Sequence, residues 1–328
     1  MENGHDDCVT RRDALRSVGV VAGAAADLHI EPDLQAGEGV AACVRHVQSR
    51  TEKPELILIG GDCVMDSFEA DETRTKTQWD LSASVFKNDC SLPIEACLGN
   101  HDIWGQNKAK SGTTGKEPGW GKKRAMDYLH LKRPYHSFDK AGWHFVCLDS
   151  VMPQGDGYIG QLDGQQWDWF QEDLKNTPAA MPVLVMTHIP IMTPTVFMDG
   201  KEDVSAERKV SGSRMMTDSK KFVKLFETHS NVKVCVSGHV HELDRLDYQG
   251  LTYLCEGRCA GTGGRGGTRC AMRGTRCWTC LMMGALRGRT RPMGGTRGRT
   301  EVASRMTSAE PETPRWCGSS GLFGVSAG

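Results

Sequence analysis

The chain has 328 residues, 38% of them hydrophobic and 25% charged, which is the composition of one large or two small soluble globular domains. No apolar run reaches the roughly eighteen residues of an ordinary membrane-spanning helix, so no such span is expected. The formal net charge of -1 conceals a division: residues 258–328 carry twelve Arg, no Lys and three acidic residues, a net +9 that leaves -10 for the rest.

Near the start, Thr10-Arg11-Arg12-Asp13-Ala14-Leu15-Arg16 precedes a weakly apolar stretch and resembles a twin-arginine export signal, with Ala14 where Phe is usual. The resemblance implies export to the periplasm; a cytoplasmic location is the alternative. Val18-Gly19-Val20-Val21-Ala22 reads equally well as a first strand. A signal fused to the domain by loss of the segment that held the true first strand reconciles the two. Residues 1–26 are therefore taken as a signal segment that can also supply a strand.

After Asp27-Leu28-His29, a helical pattern runs through Val40, Ala41, Val44 and Val47 and ends before Pro54. Leu56-Ile57-Leu58-Ile59 reads as a buried parallel strand that runs into Gly60-Gly61-Asp62. A helix is expected from Thr75 to Phe86, followed by an apolar strand from Leu92 to Leu98 that opens onto Gly99-Asn100-His101-Asp102. The Gly, Lys and Ser-rich stretch from Gly105 to Gly121 reads as a lid or as a flexible surface excursion. Tyr135 to Asp149 alternates as a hairpin around Ala141-Gly142, and Trp167, Phe170 and Leu174 mark the core face of a helix. Two further strands, Pro182 to Met186 and Val232 to Val236, end at Thr187-His188 and at Ser237-Gly238-His239-Val240-His241. Short buried strands alternating with helices argue for an α/β sandwich.

Thirteen Cys is an odd count, and most of those before residue 257 lie in or beside apolar runs, so buried free thiols are expected rather than disulfides.

Each of the strands ending at Asp62, Asn100, His188 and the His239/His241 pair delivers a metal-competent residue just past its carboxyl end, and Asp27 and His29 add a fifth cluster. Ligands bind at those ends in open α/β sheets, so the seven residues can meet in one place. Their donors are imidazole and oxygen without thiolate, which suits a pair of first-row divalent ions better than a structural zinc.

In this order and spacing the sequence resembles the calcineurin-like metallophosphoesterases, whose pattern is D-x-H, G-D, G-N-H-[DE], a later His, and G-H-x-H. Here these are Asp27-Leu28-His29, Gly61-Asp62, Gly99-Asn100-His101-Asp102, His188, and Gly238-His239-Val240-His241, and the resemblance covers roughly residues 27 to 257. It implies a two-layer-sheet α/β sandwich (the metallophosphoesterase fold) with the metal site at the carboxyl ends of its strands. It implies two ions, Fe, Mn or Zn: one on Asp27, His29 and His241, the other on Asn100, His188 and His239, with Asp62 bridging them. The implied reaction is hydrolysis of a phosphodiester or phosphomonoester by a metal-bridging hydroxide, with His101 protonating or stabilising the leaving oxygen and Asp102 orienting its ring. A small-molecule phosphoester is the implied substrate, with no nucleic-acid binding. A catalytically silent or truncated member of the fold acting as a binding scaffold is the alternative.

His46, His130, His136 and His144 lack a second ligand at fixed spacing and read as surface or satisfied core residues, although His136 could reach a substrate. Asp66 is expected either beside the ligands or in solvent, and Thr187 and Ser237 to hydrogen-bond neighbouring ligands.

Beyond residue 257, where the 27–257 domain ends, Cys270, Cys277 and Cys280 taken literally suggest a zinc knuckle, and the Arg-Gly text suggests nucleic-acid binding. Read one frame over, however, the codons of Cys277-Trp278-Thr279 are forced to Leu-Asp and those of Met282-Met283-Gly284 to Asp-Gly, strand-and-turn text like that expected after the G-H-x-H segment. Residues 258–328 are therefore read as a low-complexity tail, disordered or frameshifted.

Overall fold

Two sheets packed face to face form the centre of the molecule. The computed structural model describes residues 22–25, 27–33, 35–50, 54–198 and 209–257. The smaller sheet has three parallel strands in the order β1 (Ala22–Ala25), β2 (Leu56–Ile59) and β3 (Ile94–Ala96). β1 begins where the expected Val18–Ala22 strand ends, and residues 18–21 lie outside the described residues. So do the twin-arginine-like motif and the tail.

The larger sheet takes its first strands from the expected hairpin, β4 (His136–Lys140) and β5 (Trp143–Cys147). A second hairpin, which the sequence reading did not anticipate, follows as β6 (Val151–Gln154) and β7 (Gly157–Gly160) and forms its own two-stranded sheet. β8 (Val183–Met186), β9 (Val232–Ser237), β10 (Asp244–Tyr248) and β11 (Leu251–Cys255) complete the six-stranded sheet in the order β10-β11-β9-β8-β5-β4. Six helices accompany the strands among the described residues: α1 (Ala36–Gln48), α2 (Glu72–Asp89), the one-turn α3 (Lys108–Ser111), α4 (Lys123–Tyr128), α5 (Gly164–Asn176) and α6 (Ser219–Glu227).

The period of two along each strand sorts its side chains into layers. Leu56, Leu58, Trp143, Phe145, Leu184, Met186, Val234 and Val236 fill the space between the sheets. Ile57 and Ile59 point the other way, onto Val40, Val44 and Trp79 of α1 and α2. Val146, Val183, Val185 and Cys235 likewise face Phe170 of α5 and Phe222 of α6. β2, β5, β8 and β9 are covered on both faces, which explains why they read as continuous apolar runs rather than alternating ones. Lys233 falls where the β8–β9 register steps from Val183↔Val232 to Leu184↔Val234.

α2 is longer than its apolar stripe. Asp71 caps its first turn by accepting the Arg74 amide at 2.8 Å, so helix begins before the first buried position. Asp163 caps α5 in the same way through Gln166 at 2.7 Å. The stretch from Gly105 to Gly121 is tied back on itself and carries the one-turn α3. Trp104 and Gly121 exchange two backbone hydrogen bonds of 2.9 Å that close its ends, and Trp120 donates to the Gly105 carbonyl at 3.0 Å. The described cysteines are free thiols, with Cys63, Cys97, Cys147, Cys235 and Cys255 buried.

The remaining histidines behave as core or surface residues. His136 pairs with Glu95 at 2.9 Å. His144, on β5, bonds Asp139 through Nδ1 at 2.6 Å and Asp173 of α5 through Nε2 at 2.9 Å. Burial opposes its protonation, but the two carboxylates outweigh burial and raise its pKa above the usual 6.5. Because the folded value is the higher one, this staple stabilises fully below the unfolded pKa and is lost as pH rises through the folded one. Thermal melts of wild type and His144→Gln between about pH 6 and about pH 9 should therefore show a deficit in the variant that shrinks with rising pH; a constant or growing deficit would contradict the assignment.

Candidate metal centre

The sequence-predicted residues come together where the carboxyl ends of the two sheets meet. Each arrives on a loop that follows a parallel strand: Asp27 and His29 after β1, Asp62 after β2, Asn100 after β3, His188 after β8, and His239 and His241 after β9. Asp27, His29, Asp62 and His241 form one group and Asp62, His188 and His239 a second, the ligand atoms within each lying within 4.8 Å of one another. Asp62 belongs to both. Its Oδ2 lies 3.6 Å from His29 Nε2 and 3.4 Å from His188 Nε2. Asn100 joins the second group through its Oδ1, 3.0 Å from His188 Nε2.

Backbone conformation sets these directions. Asp27, His29, Asp62, His239 and His241 all have φ between 47° and 71°, so five of the nine described non-glycine residues with positive φ are site residues. Such a conformation costs of order 1 kcal/mol or more at each position, and its concentration here marks a functional constraint. The neighbouring glycines are just as constrained. A Cβ on Gly99 would fall 2.1 Å from Asp62 Oδ1, and one on Gly61 would fall 2.6 Å from His188 Nδ1.

Carbonyl oxygens fix two of the imidazole tautomers. A carbonyl can only accept, so His188 Nδ1 donates to Gly60 at 2.9 Å and leaves Nε2 for the site, while His239 Nε2 donates to Ser213 at 2.7 Å and leaves Nδ1. The nitrogens left by these two bonds face one another, His239 Nδ1 lying 3.1 Å from His188 Nε2, and His29 Nε2 lies 3.0 Å from His241 Nε2. Nitrogens about 2.1 Å from a shared ion would stand about 3 Å apart along the edge of an octahedron, so the spacing fits ligands that converge on cations.

Electrostatics agree. Burial would raise the Asp62 carboxyl, yet the imidazoles of His188, His101 and His29 hold it well below the carboxylate range. His188 is raised to about 9 although burial opposes this, because Asp62 and Asp27 lie beside it. His239 is lowered to about 3 by burial and by His188. Two buried carboxylates thus create a demand for positive charge that a proton on His188 meets in part and divalent ions would meet more fully.

Asp102 does not orient the ring of His101, contrary to expectation. Its Oδ2 accepts from the Gly99 amide at 2.8 Å, and its Oδ1 from the amides of Cys63 at 2.8 Å and Val64 at 3.4 Å. Those three amides claim the carboxylate, which thereby fastens the loop after β3 to the loop after β2. His101 donates its own amide to Asp62 Oδ1 at 2.9 Å, while its Nδ1 is buried without a hydrogen-bond partner. Asp66 accepts from the Glu69 amide, and Ser237 donates to the Leu254 carbonyl. The sequence reading missed Ser150, whose hydroxyl accepts from the amides of His188 and Ile189 at 3.0 and 2.9 Å. It also missed Tyr158, whose ring stands edge-on to His239 with centroids 6.0 Å apart.

The family model of calcineurin-like phosphoesterases matches residues 23–243, well over half of the chain. The chain belongs to this family. This phosphoesterase is 26% identical over 223 residues, 66% of its length and 71% of the relative's, to a probable cyclic nucleotide phosphodiesterase of Synechococcus sp.. It is 22% identical over 245 residues, 69% of its length and 75% of the relative's, to a probable cyclic nucleotide phosphodiesterase of Psychrobacter arcticus. Its fold is similar to that of a dimetal phosphatase from Danio rerio, with a TM-score of 0.53 and 14% identity over 74% of this chain and 89% of the other. It is a hydrolytic phosphoesterase of mixed α/β architecture with a candidate metal-ligand cluster.

Gly99→Ala should lower metal affinity at least about tenfold, because Asp62 must shift to make room for the Cβ. Gly39→Ala, inside α1 with nothing within 4 Å of the added carbon, should instead leave metal content unchanged and stabilise by up to about 1 kcal/mol. Metal analysis and melting of both variants test this, and full metal loading of Gly99→Ala would overturn it.

Proposed function

We propose that the site holds two divalent ions, one on Asp27, His29 and His241 and the other on Asn100, His188 and His239, with Asp62 shared, and that it hydrolyses a small phosphodiester. The observation that carries this reading is the single carboxylate of Asp62 standing between two groups of imidazoles. A bridge of negative charge is what two neighbouring cations need to offset their repulsion. The names of the Synechococcus and Psychrobacter relatives make cyclic nucleotides the first diesters to test.

When bound, the ions would supply Lewis acidity and lower the pKa of a water held between them. The chain's own residues do the rest. His188 and His239, each fixed in one tautomer by a carbonyl, present a defined nitrogen without having to reorganise. His101 rides on the same turn as Asn100, and its ring centroid lies 4.9 Å from that of His29. From there it donates a proton to the leaving oxygen or stabilises its charge. Asp102 holds that turn through backbone amides, which makes it a positioning residue. The twin-arginine-like segment supports a further proposal, that the folded metalloenzyme is exported to the periplasm.

His101→Ala should retain metal and lose about 100-fold or more in turnover of a chromogenic phosphodiester, whereas Asn100→Ala should lose metal. Equal metal loss from both would show that the turn is wrongly divided. A wild-type protein that binds metal and phosphate ester but turns over neither diester nor monoester would favour the silent-scaffold alternative.

A further inference from the structure

The β6–β7 hairpin is held at both ends. At its base, the Gly160 amide donates to the Gly212 carbonyl and the Thr217 amide to the Gly160 carbonyl, both at 2.7 Å. At its tip, Gln106 Nε2 donates to the Gly155 carbonyl at 2.7 Å. Between these anchors stands Tyr158, half-buried, edge-on to His239 on one side and to Phe68, at 5.6 Å between centroids, on the other. Its hydroxyl makes no hydrogen bond to any described residue, although tyrosines packed this closely usually find one. The ring is fixed beside the second ligand group, and its donor is uncommitted.

Arg214 lies one residue from a backbone contact to that same group. It follows Ser213, whose carbonyl holds His239 Nε2 at 2.7 Å, and the Met216 amide ties the segment to Pro190, two residues beyond His188, at 2.9 Å. A phenol is neutral near neutral pH, so the Tyr158 hydroxyl can donate. A neutral donor, and a backbone segment that carries the cationic Arg214, therefore lie beside a centre whose own side chains are carboxylates, imidazoles and the Asn100 amide.

We propose that the Tyr158 hydroxyl and the Arg214 guanidinium bind the phosphoryl oxygens of the substrate beside His239. This rests on the phosphoesterase reading above for its ligand class and adds two recognition residues to it. Arg214 would offer charge-assisted hydrogen bonds, and Tyr158 a neutral one that adds no negative charge near the phosphate.

Calorimetric titration of inorganic phosphate into the metal-loaded full chain tests this without turnover. Tyr158→Phe keeps both ring contacts and removes only the donor, so metal content and melting temperature should match wild type while the phosphate Kd rises about tenfold. Arg214→Gln should raise it by a similar factor or more, with Arg214→Lys recovering part of the loss. In steady-state assays the same variants should raise KM for a chromogenic phosphodiester more than they lower kcat. A wild-type phosphate Kd in Tyr158→Phe, or no phosphate binding by the loaded wild type, overturns the proposal. Absence of turnover in a wild type whose phosphate Kd responds to these substitutions would overturn the catalytic reading and leave the binding one standing.

Discussion

Everything at the site is placed relative to one buried carboxylate. Asp62 is 1% exposed, and burying an unpaired carboxylate would cost several kcal/mol. Here one oxygen accepts the His101 amide while the other faces His29 and His188 from different loops. The three-stranded sheet supplies Asp62, His29 and Asn100, and the six-stranded sheet supplies His188, His239 and His241. Asp62 is thus the point at which the two sheets must be in register with each other. The His188-to-Gly60 hydrogen bond at 2.9 Å spans the same junction.

Holding five side chains in left-handed backbone conformations needs a rigid support. The layered core provides it. Strand β2 is buried on both faces, by Leu56 and Leu58 between the sheets and by Ile57 and Ile59 under the helices, so the loop that follows it has little freedom to relax. Asp102 adds a local fastening by joining the amides of Cys63 and Val64 to that of Gly99. Replacing a ligand removes a donor from this arrangement, whereas adding bulk at Gly61 or Gly99 displaces several donors together.

The strands and the residues at their ends were legible in the sequence because each strand is a run of branched apolar residues that stops abruptly at a glycine or polar turn. Leu56 to Asp62 and Val232 to His241 are the clearest cases. What was not legible depends on hydrogen bonds between distant loops. The sequence places Asp102 beside His101 and suggests that they pair, but amides some 39 residues away claim its carboxylate. The stretch from Gly105 to Gly121 has loop composition, yet its ends pair across Trp104 and Gly121. The β6–β7 hairpin did carry a local signal, the Gly155-Asp156-Gly157 turn between Val151-Met152 and Tyr158-Ile159. Tyr158 went unnoticed with it, and nothing in the sequence shows that the Ser213 carbonyl, one residue before Arg214, holds His239.

The proposed chemistry follows from a division of labour among the loops: those after β1, β2, β8 and β9 converge donors, and the turn after β3 contributes both a donor and the proton source. That division stands or falls on two ions sharing one carboxylate. Its most direct test is the metal content per chain of the purified full-length protein beside His241→Ala and His239→Ala. About two ions in wild type and about one in each variant is the predicted result. A single ion in wild type, with no difference between the variants, would contradict a shared dinuclear centre.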